Sequence, residues 1–167
     1  MDLEYYLNRF KKAAKKLDKK LLKEKNLEVA TGIVMDSACL KLYKKEWAND
    51  KNNPIQCPTR IFFSIWVHDK TIKEEKLFYN IHALKLRHLE GYAITSRDFA
   101  ESFRETFKTY EHNWKDVSVK FGPLTLMEGW EKLDLINLEN TIVKLASNFL
   151  EIEFLVEDTL QKFKKNK

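Results

Sequence analysis

The chain has 167 residues, near the modal size of one domain, and can bury roughly two-thirds of its unfolded surface, so neither a disulfide nor a metal is needed to hold it. Its composition, 44% hydrophobic and 13% aromatic with only four Gly and three Pro, excludes collagen-like repeats, long linkers and disorder. The net charge of +5 bears on solubility and weak attraction to polyanions rather than on fold.

Cys39 and Cys57 lack metal-ligand spacing; one falls in an extended segment and the other abuts Pro58, so reduced thiols are expected. The N-terminus is charged from Asp2 onward, and no window approaches the length of a membrane span. These features predict a single soluble domain over 1–167, cytoplasmic and without membrane contact.

Residues 2–25 carry Leu3, Leu7, Phe10, Ala14, Leu17 and Leu21 at steps of four and three, which predicts a helix with a narrow apolar stripe. Its opposite side holds Lys11, Lys12, Lys15, Lys16, Lys19, Lys20 and Lys23. No aromatic or Arg interleaves them. The expected consequence is a solvated helix face with weak, non-specific polyanion binding at most.

From 27 to 45 the pattern is extended, as one bent strand or two joined near Asp36 and Ser37, lying beside the 59–68 segment. Residues 47–58 contain Asn49, Asp50, Asn52, Asn53, Pro54 and Pro58 and predict a loop. The runs 59–68 and 76–86 are both rich in aromatic and branched residues with two-residue alternation, and 69–75 between them is polar apart from Ile72. They predict an antiparallel hairpin. Placing Val67 opposite Leu77 puts Ile61, Phe63, Ile65, Val67, Leu77, Tyr79, Ile81 and Ala83 on one apolar face. The other face carries Arg60, Phe62, Ser64, Trp66 and His68 beside Phe78, Asn80, His82 and Leu84.

A turn at Gly91 leads into a helix capped by Thr95 or Ser96, with Asp98 in its first turn and Phe99, Phe103 and Phe107 on one stripe. Glu101, Arg104, Glu105 and Lys108 are expected to face water. Residues 114–121 alternate as a short strand, 124–130 read as one helical turn, and 137–164 as a long helix with a wide apolar arc.

Little in the chain points to chemistry. In the hairpin register His68 and His82 stand roughly 20 Å apart at ~3.3 Å per residue, so they do not converge on a metal, and His88 only continues the row. Ser64 and His82 share a face, yet no acid orients the imidazole and no Gly-rich elbow supplies an oxyanion site. No catalytic residue is assigned. Thr95, Ser96 and Arg97 form a candidate anion site at a helix start. With no Gly-rich phosphate loop or dinucleotide fingerprint, no cofactor is expected.

The order helix, three-strand meander, helix, strand is similar to the common core of restriction-endonuclease-like nucleases. That resemblance implies Mg²⁺ bound by an Asp and an acidic-x-Lys pair, and here Asp69 with Glu74, Glu75 and Lys76 offers the spacing, within the predicted turn.

The expected fold is α+β: a mainly antiparallel sheet of four or five strands, with the 96–110 and 137–164 helices on one face and the N-terminal helix paired with the C-terminal one. The remaining face, with Arg60, Phe62, Ser64, Trp66, Phe78, Asn80 and His82, mixes aromatics with donors and acceptors as pockets and interfaces do. The function expected is a non-enzymatic ligand-binding or assembly module using that face, filled by a ligand or a second copy. The alternative is a nucleic-acid-associated protein, a degenerate nuclease among them.

Overall fold

The computed structural model describes residues 2–166. Its first helix, α1 (Leu3–Lys15), buries Tyr6, Leu7, Phe10 and Ala13 and leaves its lysines in water. The helix expected over 2–25 is two helices. Asp18 accepts a hydrogen bond from the Leu21 backbone N–H and caps a second helix, α2 (Lys19–Glu24), because an aspartate offers the backbone a partner outside the helical ladder. Asn26, at φ 57°, closes α2 in the left-handed region that asparagine tolerates.

Five strands follow in a single antiparallel sheet, in chain order: β1 (Glu28–Val34), β2 (Ser37–Tyr43), β3 (Arg60–Val67), β4 (Lys76–Leu84) and β5 (Thr125–Lys132). The 27–45 segment is thus two strands. Met35 and Asp36 join them with φ of 48° and 63°, the doubly positive turn whose twist suits a two-residue hairpin. β2 lies beside β3, with Leu40 opposite Ile65. In the β3–β4 hairpin Ile65 pairs with Tyr79, Phe63 with Ile81 and Phe62 with His82, the register that the alternation predicts.

The connection 69–75 is not merely a polar loop. It holds a short helix, α3 (Asp69–Lys73), capped by His68, whose Nδ1 accepts from the Lys70 and Thr71 N–H groups while Thr71 Oγ1 accepts from the His68 N–H.

Two helices close the core. α4 (Ser96–Phe107) begins at Thr95, whose hydroxyl accepts from the Asp98 N–H, and buries Phe99, Phe103 and Phe107 completely. α5 (Leu138–Lys162) starts after Asn137, crosses the same sheet face and contacts both α1 and α4. Phe149 of α5 stacks on Phe63 of β3 at 4.6 Å. The sheet is therefore covered by helices on one face, with the N- and C-terminal helices in contact, an α+β architecture.

Charge ties the elements together at Lys44 and Arg9 as well as at the Lys144–Glu131 pair between α5 and β5. Lys44, just past β2, is bridged to Glu153 at 2.9 Å and Glu157 at 3.0 Å, both on α5, and the Trp47 indole donates to Glu157. Arg9 of α1 grips Glu139 at the start of α5 through two nitrogens and holds its carboxyl down to about 2. A carboxylate depressed in the folded state stabilises it above the unfolded pKa, and that contribution is lost as pH falls from about 4.5 toward about 2. We predict that wild type exceeds Arg9→Gln in urea stability near neutral pH and that the difference closes below pH about 2. A difference that persists in acid would assign Arg9 a packing role instead.

Two local expectations are corrected. Residues 124–130 are not a helical turn but most of β5, whose Phe78–Trp130 and Asn80–Glu128 pairs extend the sheet. Residues 114–121 form no strand of their own: only Ser118 bridges Glu128, through two backbone hydrogen bonds, shielding the outer edge of β5. Val117 and Val119 are half-buried against the core and Trp114 is buried in it, so the alternation reflects packing rather than a ladder.

Candidate functional site

Every covering helix lies on one side of the sheet, so the residues of opposite parity form the floor of the other side. Across β2, β3, β4 and β5 one row reads Lys41, Ser64, Asn80, Glu128. Ser64 Oγ donates to Asn80 Oδ1 at 3.2 Å, and Asn80 Nδ2 donates to Glu128 Oε1 at 3.1 Å. Ser64 and Asn80 are only 5% and 2% exposed although no helix covers them, because the longer side chains around them make walls.

On one side of this row stands Phe62. Its ring has the Lys41 ammonium 4.5 Å from the centroid, the Arg60 guanidinium at 5.1 Å and the His82 ring at 5.3 Å. On the other side is an aromatic row: Trp66 stacks on Phe78 at 5.0 Å and leans on His68 at 5.2 Å, while Lys76 sits 4.5 Å over Trp130. Between the rows lies a hollow of about 470 Å³, reached by Arg60, Phe62, Ser64, Trp66, Asn80 and His82. Phe78 is half-buried behind Trp66 and does not reach it.

The hollow is lined by strand side chains together with Val34, Met35 and Ser37 at the β1–β2 turn, and loops brace the sheet beside it. The connection after β2 folds along the β1 side, where Ile55 and Gln56 enclose a second hollow of about 430 Å³ with Gly32, Lys41 and Arg60. Arg60 Nη1 donates to the Cys57 carbonyl at 2.6 Å, and Asn49 ties the loop to the His88 carbonyl and the Glu90 N–H. Opposite, the turn before β5 is held by Arg104, which was expected to face water. Its Nε donates to the Leu126 carbonyl, and Nη2 to those of Phe121, Gly122 and Thr125, all at 2.8–3.1 Å. A guanidinium fork suits this cluster of carbonyls better than an ammonium would.

His82 Nδ1 is 3.4 Å from the Leu124 carbonyl and 3.3 Å from Thr125 Oγ1. Burial pushes its pKa down, so the imidazole is neutral at physiological pH. Ser64 bonds to Asn80 and not to His82; the two share the face without forming a pair. Cys39, next to Lys41 along β2, is buried, and burial raises its thiol pKa away from the nucleophilic thiolate.

Elsewhere the expected sites stay apart. His68 is a helix cap and His88 is exposed, and among the described residues no three His, Cys, Asp or Glu side chains are grouped to hold a metal. Asp69 starts α3 while Glu74 and Glu75 follow it in the turn before Lys76, and the sheet is a serial antiparallel meander. At the start of α4 the Thr95 hydroxyl is engaged by the Asp98 N–H; Thr95 and Arg97 are exposed, Ser96 is half-buried, and the Asp98 carboxylate occupies the first turn. The lysines of α1 and α2 are exposed on the helical layer, which the sheet separates from the hollow. No helix among the described residues is long and apolar enough to cross a membrane.

Six residues of the hollow escaped the sequence reading, of which Val34, Met35 and Ser37 come from the β1–β2 turn. Lys41 and Cys39 alternate in the 38–42 run, yet their place on this face becomes visible only once β2 is set against β3, and Glu128 depends on β5. Compared with known protein families, with curated proteins and with solved structures, the chain matched none.

Proposed function

We propose that this protein is a binding module that takes up a small ligand in the hollow on the uncovered sheet face. The observation that carries this reading is the buried polar floor: Ser64, Asn80 and Phe62 are 2–5% exposed on a face that no helix covers. A mixed aromatic and polar lining around about 470 Å³ has the size and composition of a site for a small organic molecule. The Ser64 hydroxyl bonded to Asn80 rather than to His82, and the raised Cys39 pKa, argue for binding rather than covalent catalysis.

The neutral dye phenylnaphthylamine tests it, since its fluorescence rises on leaving water. One equivalent is expected to bind wild type, and Ser64→Tyr, which raises a ring from the floor, is expected to abolish uptake while cooperative unfolding is retained. Uptake unchanged in Ser64→Tyr would put the dye elsewhere and reject the site. Sedimentation supplies the competing outcome. A wild-type dimer that Trp66→Glu converts to monomer would make this face a subunit interface, and the ligand reading would fall.

A further inference from the structure

We propose that the ligand is an anion: a carboxylate, sulfonate or phosphate group seated between Lys41 and Arg60 at the Phe62 end of the hollow. This assignment rests on the binding reading above and adds the ligand's charge and its orientation.

The argument is one of unbalanced charge. Three cations elsewhere meet carboxylates, half-buried Arg9 with Glu139, half-buried Lys25 with Glu153, and buried Lys44 with Glu153 and Glu157, while half-buried Arg104 is taken up by four backbone carbonyls and half-buried Lys76 lies over Trp130. Lys41 and Arg60 are also half-buried, yet among the described residues neither meets a carboxylate. Lys41 has only the Phe62 ring, and Arg60 has that ring and one carbonyl, with its Nε buried and without a partner. The carboxylate that lines the same hollow, Glu128, is tied to Asn80 two strands away from β2 and accepts there.

Two like charges on one ring, partly out of water, repel one another and are poorly solvated. Burial lowers the pKa of both, and Arg60 pushes that of Lys41 down further. A fold that keeps such a pair without a counter-ion keeps it for a charge that arrives with the ligand. The ammonium supplies a mobile point charge, and the guanidinium, of which only Nη1 is engaged, supplies directed donors. The rest of the ligand lies along Ser64 and Asn80 toward Trp66, a path with hydrogen-bonding groups on its floor and an aromatic wall.

Two dyes on one ring scaffold separate this from the parent reading: neutral phenylnaphthylamine and the anionic anilinonaphthalene sulfonate. Wild type is expected to bind the sulfonate at least about tenfold more tightly than the neutral dye, the worth of one charge-assisted contact. Lys41→Met with Arg60→Gln is expected to bring the two affinities together, with a melting temperature unchanged or raised because an unbalanced charge pair is gone. The control Lys12→Gln, Lys16→Gln, Lys19→Gln, Lys23→Gln removes the exposed lysine face and is expected to leave the preference intact. Displacement of the sulfonate dye by benzoate or by phenyl phosphate supports the assignment and sorts carboxylate from phosphate. Equal affinities in wild type, a preference that survives Lys41→Met with Arg60→Gln, or its loss in the lysine-face control would overturn the anion site while leaving the hollow. Failure of both dyes to bind would overturn the hollow as well.

Discussion

Phe103→Ala is expected to destabilise the fold by about 3–5 kcal/mol, the range for deleting a fully buried aromatic ring. Phe103 lies at the centre of the α4 stripe, has no exposed surface and stacks on Phe107 at 5.6 Å. Its neighbours Phe99 and Phe107 are equally enclosed, so the space left behind cannot be filled by a small shift of one side chain. A denaturant titration showing a loss below ~1 kcal/mol would mean that α4 is loosely attached to the sheet.

Gly129→Ala is expected to be nearly as damaging, at about 3 kcal/mol, for the opposite reason: it adds a methyl where none fits. Gly129 pairs with Tyr79, and a Cβ there would stand 2.3 Å from the Tyr79 hydroxyl and 2.6 Å from its ring. Tyr79 cannot swing aside. It is completely buried, leans on Trp114 at 5.0 Å and donates its hydroxyl to the Lys115 carbonyl at 2.6 Å. The added methyl must therefore break that hydrogen bond or push β5 off β4. Thermal unfolding of Gly129→Ala beside Tyr79→Phe separates the terms, since the phenylalanine removes only the hydroxyl bond. Equal losses in the two variants would mean that the close approach itself costs nothing.

The parts of this architecture that could be read from the sequence are those where one period dominates. In β3 and β4 each face is consistent over at least four positions, and a one-residue slip would have exposed Phe63, Ile65, Tyr79 and Ile81 together, so the register follows. The α4 stripe and its Thr95 cap are legible for the same reason. β5 is not, because Gly129 and Glu128 interrupt a short apolar run, and the close approach that Gly129 admits is to Tyr79, a partner 50 residues upstream in the chain. Arg104 falls off the apolar stripe of its helix and so resembles a solvent residue, while the carbonyls it binds belong to a turn that the sequence does not place. The candidate site divides in the same way. Phe62, Ser64, Trp66, Asn80 and His82 follow from one hairpin, whereas Lys41 and Glu128 enter from strands on either side and needed pairings between separate segments.

The serial strand order also sets the course of assembly. The first three pairings each join strands that are neighbours in the chain, while the fourth spans 85–124, a stretch that includes α4. Closing a connection costs entropy that grows with the logarithm of its length, and contacts distant in sequence form more slowly. On a ribosome, where the N-terminal part emerges first, β1 to β4 are free to pair while β5 and α5 are still being made. Lys41, Arg60, Phe62, Ser64 and Asn80 all belong to that early meander, so the floor of the hollow is expected to be laid down before α4 and α5 complete the layer on the sheet's opposite, dry side.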